Sequence, residues 1–345
     1  MFRGSLAAAL LALAVLFVPP ALAAAQDATP AAVNPPTPPG QPMTGPGGAE
    51  YPFTSVRVIS LGDDGGGGRL FEPTTDTADG TLGATKSLPL VLLLDGCCYK
   101  PEGSTVSGGG GDGGAGFETW IDHLVRRGAI VVYPIYRGSH AQEDIATAMQ
   151  AALAALASGD HAQPDTAHMA VIGFSFSGWV AADYIAAAAA AGLPVPRALL
   201  VYGPAWVDPV PDGAPPPETH ALVLVGENDF GTLMGAQQIW EWLAPLPTEQ
   251  RDFLTLPSDD HGEPSLVADH AVPLTEPRPI DPLVDLDALD WYGIWKLTDA
   301  LMACTFTQVW CEYAFGDTAE QRFMGTWSDG VPVKELVVTA DPATP

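Results

Sequence analysis

The chain has 345 residues, and its 41 acidic and 14 basic side chains give a formal net charge of −27 at pH 7. Such a surface repels nucleic acid and anionic membranes, which excludes both as partners. The residues from about 50 onward are enough for one domain with a sizeable core.

The first residues indicate export. A short basic start is followed by the apolar run Leu6–Val18 and by small residues up to 25, which is typical of a secretory signal peptide over residues 1–25. This run is too short to span a membrane, and we expect no membrane span elsewhere. The mature chain is therefore expected to be secreted, to the periplasm or the extracellular space. Residues 26–49 are rich in Pro, Ala and Gly, which predicts a disordered linker.

The next elements predict an α/β fold. Val56–Leu61 and Arg69–Glu72 are separated by a Gly/Asp turn and read as an antiparallel hairpin. Continuous apolar runs, which are typical of buried parallel strands, follow at 88–96, 129–134, 169–174, 198–202 and 221–226. Helical segments lie between them, at 117–127, 142–157, 179–191 and 233–243. Strand alternating with helix predicts a mostly parallel, doubly wound sheet with helices on both faces.

One apolar run ends in a pattern that carries chemistry. Gly173-Phe-Ser-Phe-Ser-Gly178 places Ser175 where a buried strand turns into a helix. Small residues on either side of such a serine let strand and helix approach closely and leave its hydroxyl exposed. The pattern resembles the nucleophile elbow of α/β-hydrolases, except that Ser177 stands at the usual second glycine position. The resemblance to the α/β-hydrolase fold extends over residues 50–303.

The resemblance implies a catalytic triad in the order Ser, Asp, His, each residue after a strand. Asp229 follows the strand 221–226 and stands where the family carries its acid. His261 follows Phe253–Leu256 and stands where the family carries its base. Glu227 is an alternative acid. His270 is an alternative base, but it follows Val-Ala-Asp and reads as part of a helix or its end. The remaining histidines are interpreted as structural or surface residues: His123, His140, His161, His168 and His220.

The resemblance also implies an oxyanion hole made of main-chain groups. One donor is the N–H of Phe176, the residue after the nucleophile. The second is the N–H of Cys97, in the loop after the strand 88–94. Asp95 stands there where the family usually has histidine, and Gly96 is kept. Each such donor contributes on the order of 3 kcal/mol of transition-state stabilisation.

The cysteines favour disulfides, because the chain is expected to be exported. Cys304 and Cys311 are close in sequence, and a bridge between them would staple the C-terminal extension 304–345 onto the core. For Cys97 and Cys98, a strained bridge between these neighbours, cross-bridges to that pair, or free thiols remain open. The connection from 203 to 218 is short and proline-rich, so we expect no large lid.

The segments 120–134 and 258–262 resemble a set of exported bacterial α/β-hydrolases, similar in outline to cutinases, chlorophyllases and dienelactone hydrolases. This resemblance implies a secreted, monomeric serine hydrolase of the α/β-hydrolase superfamily. The substrate is expected to be a small-molecule or polymeric carboxylic ester, cleaved through an acyl-enzyme, with no cofactor and no metal. The acidic clusters at 63–64 and 281–290 lack the spacing of a calcium loop. A peptidase or acyltransferase with the same triad is one alternative, and a non-catalytic binding protein on a hydrolase scaffold is another.

Overall fold

The structure, a computed structural model, describes residues 34–74, 87–96, 108–109, 114–205, 213–229, 231–275, 286–340 and 342. The predicted signal peptide, Cys97 and Cys98 lie outside these residues. So does 206–212, the middle of the connection for which no lid is expected.

One mixed sheet organises the part of the chain that the structure describes. Its strands are β1 Ser55–Gly62, β2 Gly68–Thr74, β3 Ser87–Leu94, β5 Ile130–Pro134, β7 Gln163–Phe174, β8 Ala198–Tyr202, β9 His220–Gly226, β10 Arg251–Leu256 and β11 Val337–Thr339. Two short strands, β4 Gly108–Gly109 and β6 Tyr136–Arg137, pair separately. The order across the sheet is β1-β2-β5-β3-β7-β8-β9-β10-β11. The strands from β5 to β10 in this order are parallel, whereas β1, β2 and β11 pair antiparallel at the two edges. The predicted hairpin, now β1 and β2, and the mostly parallel sheet are confirmed.

Helices cover both faces of this sheet. They are α1 Glu118–Arg127, α2 Ala141–Leu156, α3 Ser177–Ala188, α4 Leu233–Trp242, α5 Trp295–Thr307, α6 Cys311–Ala314 and α7 Ala319–Arg322. Helices α2, α3 and α4 pack on one face, and α1 and α5 pack on the other. Alternate residues of the central strands feed the two layers: Leu90 and Leu92 enter the first core, and Val91 and Leu93 the second. Burial on both faces explains why these strands are continuously apolar.

The described part of the predicted linker is joined to the domain by hydrogen bonds. Residues 35–49 have little regular structure, but their main chain is bonded to the domain. The carbonyl of Pro36 accepts from the N–H of Glu263 at 2.8 Å, and the N–H of Gly47 donates to the Asp299 carboxylate at 2.9 Å. A Pro- and Gly-rich composition predicts a chain without its own helix or strand. It does not predict whether other residues satisfy that chain's polar groups.

The C-terminal extension lies on the core face that carries α5. Met324, Trp327 and Leu336 are buried in that core, and β11 adds an antiparallel edge to β10. Cys304 and Cys311 are at disulfide distance, with their sulfur atoms 2.01 Å apart, as expected from their spacing. The buried ammonium of Lys296 donates to the carbonyls of Gln321 and Phe323, and so fixes the end of α7.

No helix among the described residues has both the length and the apolar composition that a membrane span needs.

Gly47→Ala should lower the free energy of unfolding by about 2 kcal/mol. Gly47 has a φ of +75°, and a Cβ there would lie 2.0 Å from the carbonyl oxygen of Trp291. The measurement is urea unfolding followed by tryptophan fluorescence. Gly40→Ala is the matched control, because a Cβ at Gly40 has no atom within 4 Å. Equal stability of the two variants would mean that residues 35–49 are not docked.

Candidate active site

Ser175 lies at the tip of a sharp turn between β7 and α3. Its φ of 56° is in the left-handed region, which a residue with a side chain rarely adopts. The turn is possible because Gly173 has no side chain: a Cβ there would lie 2.4 Å from the carbonyl oxygen of Ser177. The Ser175 N–H donates to the carbonyl of Tyr202 at 3.0 Å, and its carbonyl accepts from Gly178 at the same distance. Ser175 and Phe176 are half-buried, whereas the residues on either side of them are buried.

His270 joins Ser175 to Asp229. Its Nε2 lies 3.0 Å from the Ser175 Oγ, and its Nδ1 lies 2.8 Å from the Asp229 Oδ2. An ionised carboxylate can only accept, so Nδ1 carries the proton and Nε2 is left to accept from the serine hydroxyl. The Asp229 side chain is 5% exposed and that of His270 is 26% exposed, so the carboxylate is sequestered while the imidazole reaches the surface.

The structure does not bring His261, the predicted base, to Ser175. The His261 Nε2 lies 2.8 Å from the Asp329 carboxylate in the C-terminal extension, and its ring packs near Trp327. His270, the alternative base, occupies the place beside Ser175. The chain around His270 is also not helical, so the reason for setting it aside does not hold.

The path of the loop after β10 explains this exchange. Asp259 and Leu266 form an antiparallel bridge, so residues 260–265 form an excursion away from the sheet. The chain then returns, and the carbonyl of Ala268 accepts from the N–H of Asn228 at 2.8 Å. The excursion carries His261 outward, and the return brings His270 to the carboxyl end of the sheet.

Contacts with the C-terminal extension hold this loop in place. The buried carboxylate of Asp259 accepts from the indole N–H of Trp327 and from the N–H of Lys334, both at 3.0 Å. Desolvation acts to raise the pKa of Asp259. The hydrogen bonds from Lys334 and Trp327 outweigh it, so this pKa lies below its usual value.

The residues next to each histidine indicate which of the two is buried, whereas the distance of each from β10 along the chain does not. His261 is flanked by Asp-Asp before it and by Gly-Glu-Pro after it. His270 lies among Leu266, Ala268 and Ala271, all of which are buried. Apolar neighbours are buried and place a histidine between them at the edge of a core, whereas a histidine with polar neighbours stays exposed to solvent.

Two residues at the end of β8 support the pair formed by His270 and Asp229. The hydroxyl of Tyr202 donates to the carbonyl of Asp269 at 2.6 Å. Burial, and then the charges of Asp229, Asp269 and Asp290, raise the pKa of Tyr202, so its hydroxyl stays protonated as a donor. Gly203 has a φ of +52°, and a Cβ there would lie 2.6 Å from the Asp229 carboxylate and 3.0 Å from the His270 Nδ1.

Glu227, the alternative acid, is used elsewhere. Its carboxylate accepts from the N–H of Ser258 at 2.7 Å. It therefore orients the start of the loop that carries His270, and Asp229 alone of the two acids contacts the imidazole.

Of the two predicted oxyanion donors, Phe176 is described and Cys97 lies outside the described residues. Gly96, the last residue before that gap, lies directly against the turn. A Cβ on Gly96 would be 2.7 Å from the Phe176 nitrogen and from the Ser175 Cβ. The loop after β3 thus passes beside the N–H of Phe176 at main-chain distance, as a hole built from main-chain groups requires.

This arrangement can activate a hydroxyl. The imidazole is within hydrogen-bond distance of the serine oxygen, and a carboxylate holds its far nitrogen, which is the geometry that general-base catalysis by histidine needs. Among the residues that the structure describes, no three His, Cys, Asp or Glu side chains are grouped to hold a metal ion.

No protein-family model matches the sequence, and no curated protein shows significant similarity to it.

Gly203→Ala should disturb the pair formed by Asp229 and His270 and lower the free energy of unfolding by about 2 kcal/mol, because the added methyl group overlaps both side chains. Gly231→Ala, in the same loop as Asp229, is the matched control, since a Cβ there has no atom within 4 Å. Chemical denaturation measures both variants. A crystal structure of Gly203→Ala should show the His270 ring moved from Asp229, and an unmoved ring would contradict the expectation.

Proposed function

We propose that this chain is a serine hydrolase of the α/β-hydrolase superfamily that cleaves carboxylic esters through an acyl-enzyme. One observation carries the proposal: the continuous hydrogen-bonded series from the Ser175 Oγ through His270 to the Asp229 carboxylate. The three residues follow β7, β9 and β10 in the order Ser, Asp, His, which is the order of that superfamily.

In the first half-reaction, the Ser175 Oγ attacks the ester carbonyl carbon while His270 takes the hydroxyl proton at Nε2. Asp229 stabilises the imidazolium and fixes its tautomer. The tetrahedral intermediate collapses, the C–O bond to the alcohol breaks, and the imidazolium gives its proton to the departing alkoxide. In the second half-reaction, water deprotonated by His270 attacks the acyl-enzyme, and the acid leaves as Ser175 recovers its proton.

The negative charge on the carbonyl oxygen develops beside the N–H of Phe176. This N–H is at the N-terminus of α3, where the helix dipole adds positive potential. The N–H of Cys97 is the proposed second donor. An oxyanion hole made of main-chain N–H groups contacts only the carbonyl oxygen and does not select a charged alcohol or acyl group. This suits a neutral ester, which a strongly acidic surface does not repel.

Two observations support the wider proposal. A mostly parallel sheet with antiparallel edge strands and helices on both faces supports membership of the superfamily. The signal-peptide pattern of residues 1–25 and the Cys304–Cys311 pair support export to an oxidising compartment.

Ser175→Ala and His270→Ala should each lower kcat/KM for p-nitrophenyl esters by at least about a thousand-fold, because each removes a member of the proposed triad. The measurement uses the purified chain and a series of esters from acetate to palmitate. A fluorophosphonate probe should label the wild type and leave Ser175→Ala unlabelled.

His261→Ala is the matched histidine control, because its ring pairs with Asp329 away from Ser175. Its kcat/KM should stay within about three-fold of the wild type. Equal loss in His261→Ala and His270→Ala would contradict the assigned base. Turnover of peptide p-nitroanilides without ester turnover would favour a peptidase, and an unlabelled wild type would favour a non-catalytic protein.

A further inference from the structure

Ser177 stands where the elbow pattern usually has glycine, and it is fully buried. Its Oγ is hydrogen-bonded to the hydroxyl of Tyr136, which follows β5 in the short strand β6. The hydroxyl of Tyr136 is in turn bonded to the main-chain carbonyl of Asp95, at the end of β3. The triad does not use any of these three groups.

The direction of each bond follows from chemistry. The Asp95 carbonyl can only accept, so Tyr136 donates to it, and the Ser177 hydroxyl must donate to the Tyr136 oxygen. Burial raises the pKa of Tyr136, with the hydrogen bond from Ser177 opposing and the Asp95 charge adding to the effect. The phenol therefore stays protonated, and the series runs from Ser177 to Tyr136 to Asp95. Hydrogen bonds in series within a buried site strengthen one another.

This series joins the two main-chain segments that meet beside Ser175. Ser177 is the first residue of α3, just after the nucleophile and Phe176. Asp95 immediately precedes Gly96. A Cβ on Gly96 would lie 2.7 Å from the Phe176 nitrogen, so only a glycine fits there. The peptide between Asp95 and Gly96 is thus held at its carbonyl by Tyr136 and packed at its glycine against the turn.

Gly109 also packs against the Asp95 carbonyl. It pairs with Tyr136 in the short ladder of β4 and β6, and a Cβ on it would lie 1.9 Å from the Asp95 carbonyl oxygen. The main chain of β4 therefore confines the same carbonyl and leaves it little freedom to rotate.

We propose that Tyr136 and Ser177 are positioning residues that set the distance between Gly96 and the N–H of Phe176, and so shape the oxyanion site. The inference rests on the proposed function, because an oxyanion site has a purpose only where a tetrahedral intermediate forms. It also gives the serine at the second glycine position a role, as an internal donor that ties the helix to the oxyanion loop.

Tyr136→Phe should lower kcat for p-nitrophenyl esters by about ten-fold or more while KM changes by less than about two-fold. The variant keeps the ring in the core, but it removes the hydroxyl that donates to the Asp95 carbonyl. Tyr184→Phe is the matched control: Tyr184 is a buried tyrosine of α3, and its hydroxyl donates to the carbonyl of Pro194 at 3.3 Å. Its kcat should match the wild type.

A second readout separates positioning from packing. A trifluoromethyl ketone binds as a tetrahedral adduct whose oxyanion occupies the proposed hole. Its inhibition constant should rise in Tyr136→Phe by the same factor by which kcat/KM falls. A purely structural role would lower thermal stability and leave this inhibition constant unchanged.

Ser177→Ala tests the other end of the series, and it carries the test if Tyr136→Phe does not fold. Its loss in kcat should be smaller, because Tyr136 can still donate to Asp95. The double variant Tyr136→Phe/Ser177→Ala should lose no more than Tyr136→Phe alone, because Ser177 acts only through Tyr136.

The outcomes distinguish the two proposals. If the wild type hydrolyses esters and depends on Ser175, but Tyr136→Phe and Ser177→Ala match Tyr184→Phe in kcat and inhibition, the positioning role is wrong and the hydrolase stands. If the wild type neither turns over esters nor reacts with the fluorophosphonate, both proposals are wrong.

Discussion

The site depends on one constraint, the crowding of main chains around a serine in left-handed conformation. Strand β7 and helix α3 meet at an angle that leaves no room for a Cβ on Gly173. A Cβ on Gly96 would likewise strike the Phe176 nitrogen, and one on Gly178 would lie 2.6 Å from Pro204. The strain of a positive φ, on the order of 1–3 kcal/mol, is tolerated because the surrounding hydrogen bonds hold the turn in place. The backbone conformation of the turn therefore fixes the position of the Ser175 hydroxyl.

Hydrogen bonds between loops hold Asp229 and His270 in place. Asp229 follows β9 directly, whereas His270 is at the end of an excursion closed by the bridge between Asp259 and Leu266. The hydroxyl of Tyr202 and the N–H of Asn228 then fix the returning strand of that loop. Several independent bonds thus fix the main chain just before His270, and precise placement of this kind is what the proposed general-base role requires.

The strength of each sequence signal explains which predictions the structure confirms. Strands such as Ser87–Leu94 are covered on both faces, so their apolar runs are unbroken and easily recognised. The elbow was recognisable because a turn this crowded restricts the residue types on both sides of Ser175. Distance along the chain from β10 favours His261, whereas the structure places His270 beside Ser175, because the bridge that reverses the loop is a tertiary feature. The contacts of residues 35–49 are not visible in the sequence for the same reason: their partners, such as Asp299, are distant in sequence.

The contacts of Trp327 and Lys334 with Asp259 have a consequence for biosynthesis. Translation proceeds from the N-terminus, so Ser175 and Asp229 are synthesised before Trp327 and Lys334, which hold the loop of His270. Ser175 and Asp229 can therefore take their places at the sheet before His270 is held beside them. The proposed chemistry at Ser175 therefore requires residues up to Lys334, and a nascent chain that ends before them lacks the contacts that hold the loop of His270.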